Sequence, residues 1–197
     1  ENDTYILDIS GNGHDGTAVD GAVLNTTNYR YGYAMQFKGD ASDSRVIIGT
    51  GTDFSDVCDE GCTFTSWVYP YDDGIDKHIV SRSDIADDNR FFRFSLSPDN
   101  RLNFYINYNG NLTYCRAFDP DYNLPYEDWS FVTGIYNTTH TLIYVDSMLV
   151  STTLCTDTIN QTAWQDPEST FIGAFGDSKI QKAFNGTIDV VAILNRS

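Results

Sequence analysis

Short apolar runs broken by turn residues, a strand-favouring aromatic content and the lack of any helix-period stretch predict an all-β, antiparallel two-sheet sandwich. Tyr and Phe number 13 and 12 against 3 Trp, and such side chains pack well on a pleated surface. In RLNFYINY, Leu102, Phe104, Ile106 and Tyr108 fall on one face while Asn103, Tyr105 and Asn107 fall on the other, the period of two that marks a half-buried strand. At 197 residues and 22.1 kDa the chain suits one sandwich with an adequate core. No internal repeat, low-complexity tract or linker divides it, so residues 1–197 read as a single domain.

The strands follow from the same pattern along the chain. Met35 to Phe37, Arg45 to Ile48, Thr63 to Tyr69, Lys77 to Ser81, Phe91 to Ser97 and Arg101 to Tyr108 are expected first. Leu112 to Ala117, Ser130 to Tyr136, Thr141 to Asp146, Met148 to Thr152, Phe171 to Ala174 and Thr187 to Asn195 follow. Turn signals separate them: SPDN (Ser97 to Asn100), NGN (Asn109 to Asn111) and YNTTH (Tyr136 to His140). Two packed antiparallel sheets satisfy such a run of strands. SDIADDNR (Ser83 to Arg90) and the stretch from Cys115 to Trp129 are the most polar and read as surface excursions.

Acid dominates the charge: 28 Asp and Glu against 12 Lys and Arg give a net charge of −16. A surface of that sign repels nucleic acid and anionic membranes, and no apolar run approaches the roughly 18 residues that insert into a bilayer. Turn chemistry and solubility account for most of these acids, since Asp is a favoured turn residue. The chain begins at Glu1 and reads as a processed or excerpted segment of an exported protein.

Export is expected on two further grounds. Cys58, Cys62, Cys115 and Cys155 are even in number and lack zinc-type spacing. Four cysteines allow three connectivities; the favoured one joins Cys58 to Cys62 and Cys115 to Cys155, with four free thiols as the alternative. N-x-[ST] sequons stand at Asn2, Asn25, Asn111, Asn137, Asn160, Asn185 and Asn195, where composition alone predicts roughly three. N-linked glycans are therefore expected, with Asn111 and Asn137, in predicted turns, the best sites.

Near the start, DISGNGHDGT (Asp8 to Thr17) is a Gly- and Asn-rich acidic loop. Gly11, Gly13 and Gly16 let backbone carbonyls turn inward, and together with Asp8 and Asn12 they offer the oxygen ligands a hard cation requires, with Asp189 the natural partner. The competing reading is that Asp and Asn in such turns cap their own backbone and bind nothing.

Six segments taken in order resemble a known family. DISGNGHDGT is followed by YAMQFKGDASDSRVIIG (Tyr33 to Gly49), then TFTSWVYP (Thr63 to Pro70). The stretch Trp129 to Asn137 precedes IYVDSMLV (Ile143 to Val150), and FNGTIDVVAILNR (Phe184 to Arg196) closes the series. The arrangement resembles the laminin G-like jelly-roll domains of the concanavalin A-like lectin/glucanase superfamily and covers nearly the whole chain. The resemblance implies that the front loop and tail strand meet around a structural calcium ion held by Asp8, Asn12, Gly13, Gly16 and Asp189; Asp40 and Asp43, in the KGDASD turn, are a second acidic group that can contribute. Relatives place a longer strand before the front loop, paired with the tail strand; here only Tyr5, Ile6 and Leu7 can supply a stub, which leaves an edge for another strand to fill.

Enzymatic chemistry is not expected. The paired carboxylates of the superfamily's glucanases have no counterpart among Glu1, Glu60, Glu127 and Glu168. His14, His78 and His140 lie in or beside turns with no nucleophile motif near them. Two functions remain. In the first, the protein is an extracellular, glycosylated building block of a filament or surface coat, assembling with copies of itself or with neighbouring domains through termini and sheet edges. In the second, it is a calcium-dependent carbohydrate-binding or adhesion module, with Arg93, Asn103, Tyr105 and Asn107 as its surface.

Overall fold

The computed structural model describes residues 4–39, 43–84, 89–107, 114–156, 169–176 and 182–196. The first half of the chain forms β1 (Thr4–Ile6), β2 (Gly16–Val19), β3 (Val23–Asn25), β4 (Ala34–Lys38), β5 (Arg45–Gly49), β6 (Cys62–Pro70), β7 (Lys77–Asp84) and β8 (Asn89–Leu96). The second half forms β9 (Leu102–Asn107), β10 (Tyr114–Phe118), β11 (Ser130–Tyr136), β12 (His140–Val145), β13 (Met148–Leu154), β14 (Thr170–Ile172) and β15 (Asn185–Leu194). They pair antiparallel in two sheets. The eight-stranded sheet runs β1, β2, β5, β14, β7, β8, β9, β10, and the seven-stranded sheet runs β13, β12, β11, β6, β15, β4, β3.

The core lies between the sheets, and strict alternation puts it there. In β6, Cys62, Phe64, Ser66 and Val68 point inward, while Thr63, Thr65, Trp67 and Tyr69 point outward and are half-buried. The Phe64 ring centroid lies 4.8 Å from that of Phe92 and 5.5 Å from that of Phe104, so one aromatic cluster spans the two layers. Each such side chain contributes about 1.5–3 kcal/mol by leaving water. Gly134 in β11 makes room for the Phe104 ring, which a Cβ would approach to 2.8 Å.

Both disulfides form as favoured above: Cys58 bonds Cys62 across 4 residues and Cys115 bonds Cys155 across 40. The second has an architectural role. Cys115 sits in β10 and Cys155 directly follows β13, and these strands are the outermost ones on the same flank of the two sheets. The bond therefore staples two free edges together.

The structure departs from the sequence expectation at the front. Three short strands, β1 to β3, precede the first one expected. Tyr5 and Ile6 do form a stub, but it pairs with β2 at the edge of the eight-stranded sheet, not with the tail strand. The tail strand β15 lies between β6 and β4. Its pairing with β4 spans Asn185 to Ile188, so from Val190 to Leu194 it has β6 alone as a neighbour among the described residues.

Candidate functional site

The front loop is closed on itself. One Asp8 oxygen accepts the Ser10 N–H at 2.8 Å, and the other accepts the Ser10 hydroxyl at 2.8 Å and the His14 N–H at 3.0 Å. Asp15 accepts the Asp8 N–H at 2.7 Å and the Tyr5 hydroxyl. The Asn12 N–H donates to the Ser10 hydroxyl at 3.2 Å. Gly13 is needed for its positive φ of 82°, whereas Gly16 is needed for space, since a Cβ there would meet Val46 at 2.7 Å.

The residues proposed to hold calcium come from both sheets. Asp8 is in the loop between β1 and β2 of one sheet, and Asp189 is in β15 of the other, with different hydrogen-bond partners. Among the described residues, no group of three His, Cys, Asp or Glu side chains could hold a metal ion. At Asp8 and Asp189 the N–H donors occupy oxygen lone pairs for which a cation would have to compete. Asp43 holds a turn at φ 52° and its carbonyl accepts from Arg45; Asp40 lies outside the described residues.

Hydrogen bonds to its charged form set the Asp8 acidity. The Ser10 hydroxyl, then the Ser10 and His14 N–H groups, lower its pKa from 3.8 to about 2. The contribution of these bonds to loop order is present above the unfolded value of 3.8 and is lost as pH falls through about 2. In an NMR titration, the Ser10 and His14 amide signals are expected to move with a midpoint near 2. A midpoint near 3.8 would show the cap to be absent.

Asp189 has a different task. Only 4% exposed, its carboxylate accepts the backbone N–H groups of Arg30 at 2.6 Å and Tyr31 at 2.8 Å, and so anchors the loop between β3 and β4. Four other contacts fix the same loop. Asn25 Oδ1 accepts the N–H groups of Thr27 at 3.0 Å and Asn28 at 2.9 Å, closing a turn at its start. The Trp129 indole N–H donates to Asn28 Oδ1 at 2.9 Å, and the Arg30 guanidinium lies 4.3 Å from the Trp67 ring centroid.

Pinned in this way, the loop presents tyrosines to solvent. Tyr29, Tyr31 and Tyr33 are 44%, 64% and 64% exposed, and the rings of Tyr29 and Tyr33 are 6.4 Å apart. Beneath them runs an aromatic outer face: Trp67 against Phe131 at 5.2 Å, and Tyr69 against both Trp129 at 5.4 Å and Tyr71 at 5.7 Å. Loss of solvent contact, more than the neighbouring Tyr71, Glu127 and Asp128, raises the Tyr69 pKa. The spacing YRYGY (Tyr29 to Tyr33) was the signal in the sequence that could have marked this surface.

Arg93, Asn103, Tyr105 and Asn107 share the outer face of β8 and β9, as expected, but they are not an open platform. Asn103 and Asn107 are 5% and 3% exposed. Tyr105 sits beside two guanidinium groups, Arg93 at 4.0 Å and Arg116 at 5.0 Å from the ring centroid.

The histidines take structural partners. His14 packs on Phe54 and His78 on Phe175, and His140 Nδ1 lies 3.0 Å from the Thr139 hydroxyl. Burial first, then Arg93 and Lys182, pushes His78 well below 6.5, so it is neutral at pH 7.

Of the sequons, Asn137 and Asn195 are exposed, Asn185 is half-buried and Asn25 is buried. Asn2, Asn111 and Asn160 lie outside the described residues. Asn137 Oδ1 accepts the Thr139 N–H and hydroxyl, so the side chain is held at the tip of the β11–β12 hairpin.

Comparisons with known proteins agree with this geometry at the level of the fold. Residues 40–197 match the family Laminin_G_3, described as the concanavalin A-like lectin/glucanases superfamily. Curated protein sequences give no match. Among solved structures, the binding domain of botulinum neurotoxin DC in complex with SialylT is similar at TM-score 0.71 and 16% identity, over 97% of this chain and 45% of that one. The chain thus spans about half the length of that toxin domain. Domain 4 of AbnA, a GH43 extracellular arabinanase from Geobacillus stearothermophilus, in complex with arabinotriose, is similar at TM-score 0.68 and 15% identity, over 94% and 84% of the two chains. The Ruminococcus gnavus IT-sialidase CBM40 bound to alpha2,3 sialyllactose follows at TM-score 0.61 and 11% identity, over 77% and 89%. The chain belongs to the laminin G-like group of the concanavalin A-like lectin/glucanase superfamily.

Proposed function

We propose that this member of the superfamily is a carbohydrate-binding module of an extracellular protein, and that the loop between β3 and β4 is its contact surface. The carrying observation is that Tyr29, Tyr31 and Tyr33 stay exposed on a loop fixed by Asp189, Asn25, Trp129 and Trp67. Tyrosine suits this task because its ring offers a flat apolar face to sugar C–H groups while its hydroxyl hydrogen-bonds at the edge. A loop ordered beforehand loses less entropy when it binds. The solved structures with arabinotriose and sialyllactose support the reading by analogy of fold. Two disulfides favour an oxidising compartment, and Asn137 and Asn195 are the sequons placed to carry glycans.

A glycan screen run with and without chelator tests the proposal, and binding in both conditions is expected. Tyr31→Ala and Tyr33→Ala should each weaken binding about tenfold, the order of one aromatic contact. Asp189→Ala should do so without touching the ligand, and Asp189→Asn should keep most affinity because one oxygen still accepts both N–H groups. Equal binding by all four variants, or no glycan bound by the natural sequence, overturns the reading.

A second reading, the self-assembling filament or coat unit, draws on the Val190 to Leu194 segment of β15, where Val190 and Leu194 are 48% and 39% exposed. Such an edge accepts a further strand. Electron microscopy and sedimentation of the purified protein at high concentration test it: fibres support this reading and a strict monomer refutes it.

A further inference from the structure

We infer that Arg116 and the tyrosines beside it form a second binding site, specific for the carboxylate of an acidic sugar. The site lies on the outer face of the eight-stranded sheet, on the edge strand β10, and does not depend on the tyrosine loop of the other sheet. Arg116 is held rigidly: its Nε at 3.0 Å and its Nη2 at 2.5 Å both donate to Asn103 Oδ1. Its guanidinium lies 4.4 Å from the Phe118 ring centroid and 5.0 Å from that of Tyr105. No carboxylate among the described residues pairs with it, although acids outnumber bases 28 to 12 in the chain. The acid that reaches this region, Asp76, is engaged by Lys182 at 2.6 Å.

A guanidinium ordered by one amide oxygen and two rings, with an edge left over, is preorganised for a planar carboxylate. Arg93, cross-strand from Tyr105 and 4.0 Å from its ring centroid, adds a second positive charge. Both guanidinium groups lie within 5.0 Å of the Tyr105 ring centroid, so an anion held at Arg116 also feels the Arg93 charge. Tyr114, 52% exposed and 5.5 Å from the Tyr105 ring, offers a flat face for the pyranose that carries the acid. The net charge of −16 penalises every further negative charge on a ligand, which selects a monoanionic sugar over a sulfated polymer or an acidic peptide.

The probes are D-glucuronate, D-glucose, acetate and sulfate, followed by NMR on the natural sequence. Glucuronate is expected to shift the Arg116 Nε–H signal and the Tyr114 ring, to bind at least tenfold more tightly than the other three, and to weaken as salt rises. Arg116→Gln should lose at least tenfold in glucuronate affinity; Arg116→Lys should lose most of it, since the charge stays but the planar fork goes. Tyr114→Ala, at an exposed position outside the core, leaves the core packing in place and should also bind more weakly. Unchanged affinity in Arg116→Gln, or acetate binding as well as glucuronate, overturns the inference. Shifts confined to Tyr29 to Tyr33 would overturn it while leaving the tyrosine loop standing, and shifts confined to Arg116 and Tyr114 would support it while leaving the tyrosine loop to its own glycan screen.

Discussion

Replacing Cys115 and Cys155 together by serine is expected to lower stability by about 4 kcal/mol, from the loop entropy released in the unfolded chain. The bond closes a segment with a sequence separation of 40, against 4 for Cys58 and Cys62, whose removal should cost about 2 kcal/mol. For a domain of this length, the larger loss corresponds to roughly 12 °C in Tm. Its location adds a second signature. Because the bond ties the edge strand β10 to the end of the edge strand β13, amide exchange should quicken first in β9, β10 and β13, while β6 and β15 at the centre stay protected. Thermal melts of the two double variants, with exchange mapped by strand, test the point. A larger loss on removing Cys58 and Cys62 would contradict it.

Gly186→Ala is expected to be comparably damaging, at about 4 kcal/mol from steric overlap and backbone strain together. This glycine has φ +142°, and a Cβ on it would come within 2.2 Å of the Tyr69 carbonyl oxygen and 3.0 Å of the Pro70 Cα. Both are backbone atoms of β6, paired with β15 in the middle of its sheet, so neither can move aside. The FNG motif thus has a physical reason for its glycine. Gly51→Ala separates the two causes, since it has φ +60° with nothing within 4 Å of the added carbon and should cost only about 1 kcal/mol. Denaturant unfolding of both variants checks the difference; equal losses would show that strain alone acts at Gly186.

The parts of the fold legible in the sequence were those with enough residues to show a period. β6, β11 and β12 alternate over 6 to 9 residues, and the order of the motifs along the chain placed the family. β1, β2 and β3 have 3 or 4 residues each, too few for alternation to rise above chance. Asp189 was legible as an acid with a task but not for which task. Backbone N–H groups and a cation ask for the same lone pairs, and the donors come from Arg30 and Tyr31, separated from it by 159 and 158 positions. Asn103 was rightly placed on the outer face of its strand; Arg116 on the next strand, cross-strand from Tyr105, then claimed its oxygen. Sequence pattern reports which face a residue occupies, while what it touches there depends on chain that arrives from elsewhere.

The tyrosine loop as a sugar-binding surface is tested most directly by mapping amide and indole shifts while titrating a glycan that binds in the screen. The expected result is perturbation of Tyr29 to Tyr33 and of the Trp129 indole N–H, which reports the bond to Asn28, with the Asp8 loop unmoved. Shifts centred on Asp8 to Gly16, or abolished by chelator, would contradict the account and return the site to the front loop.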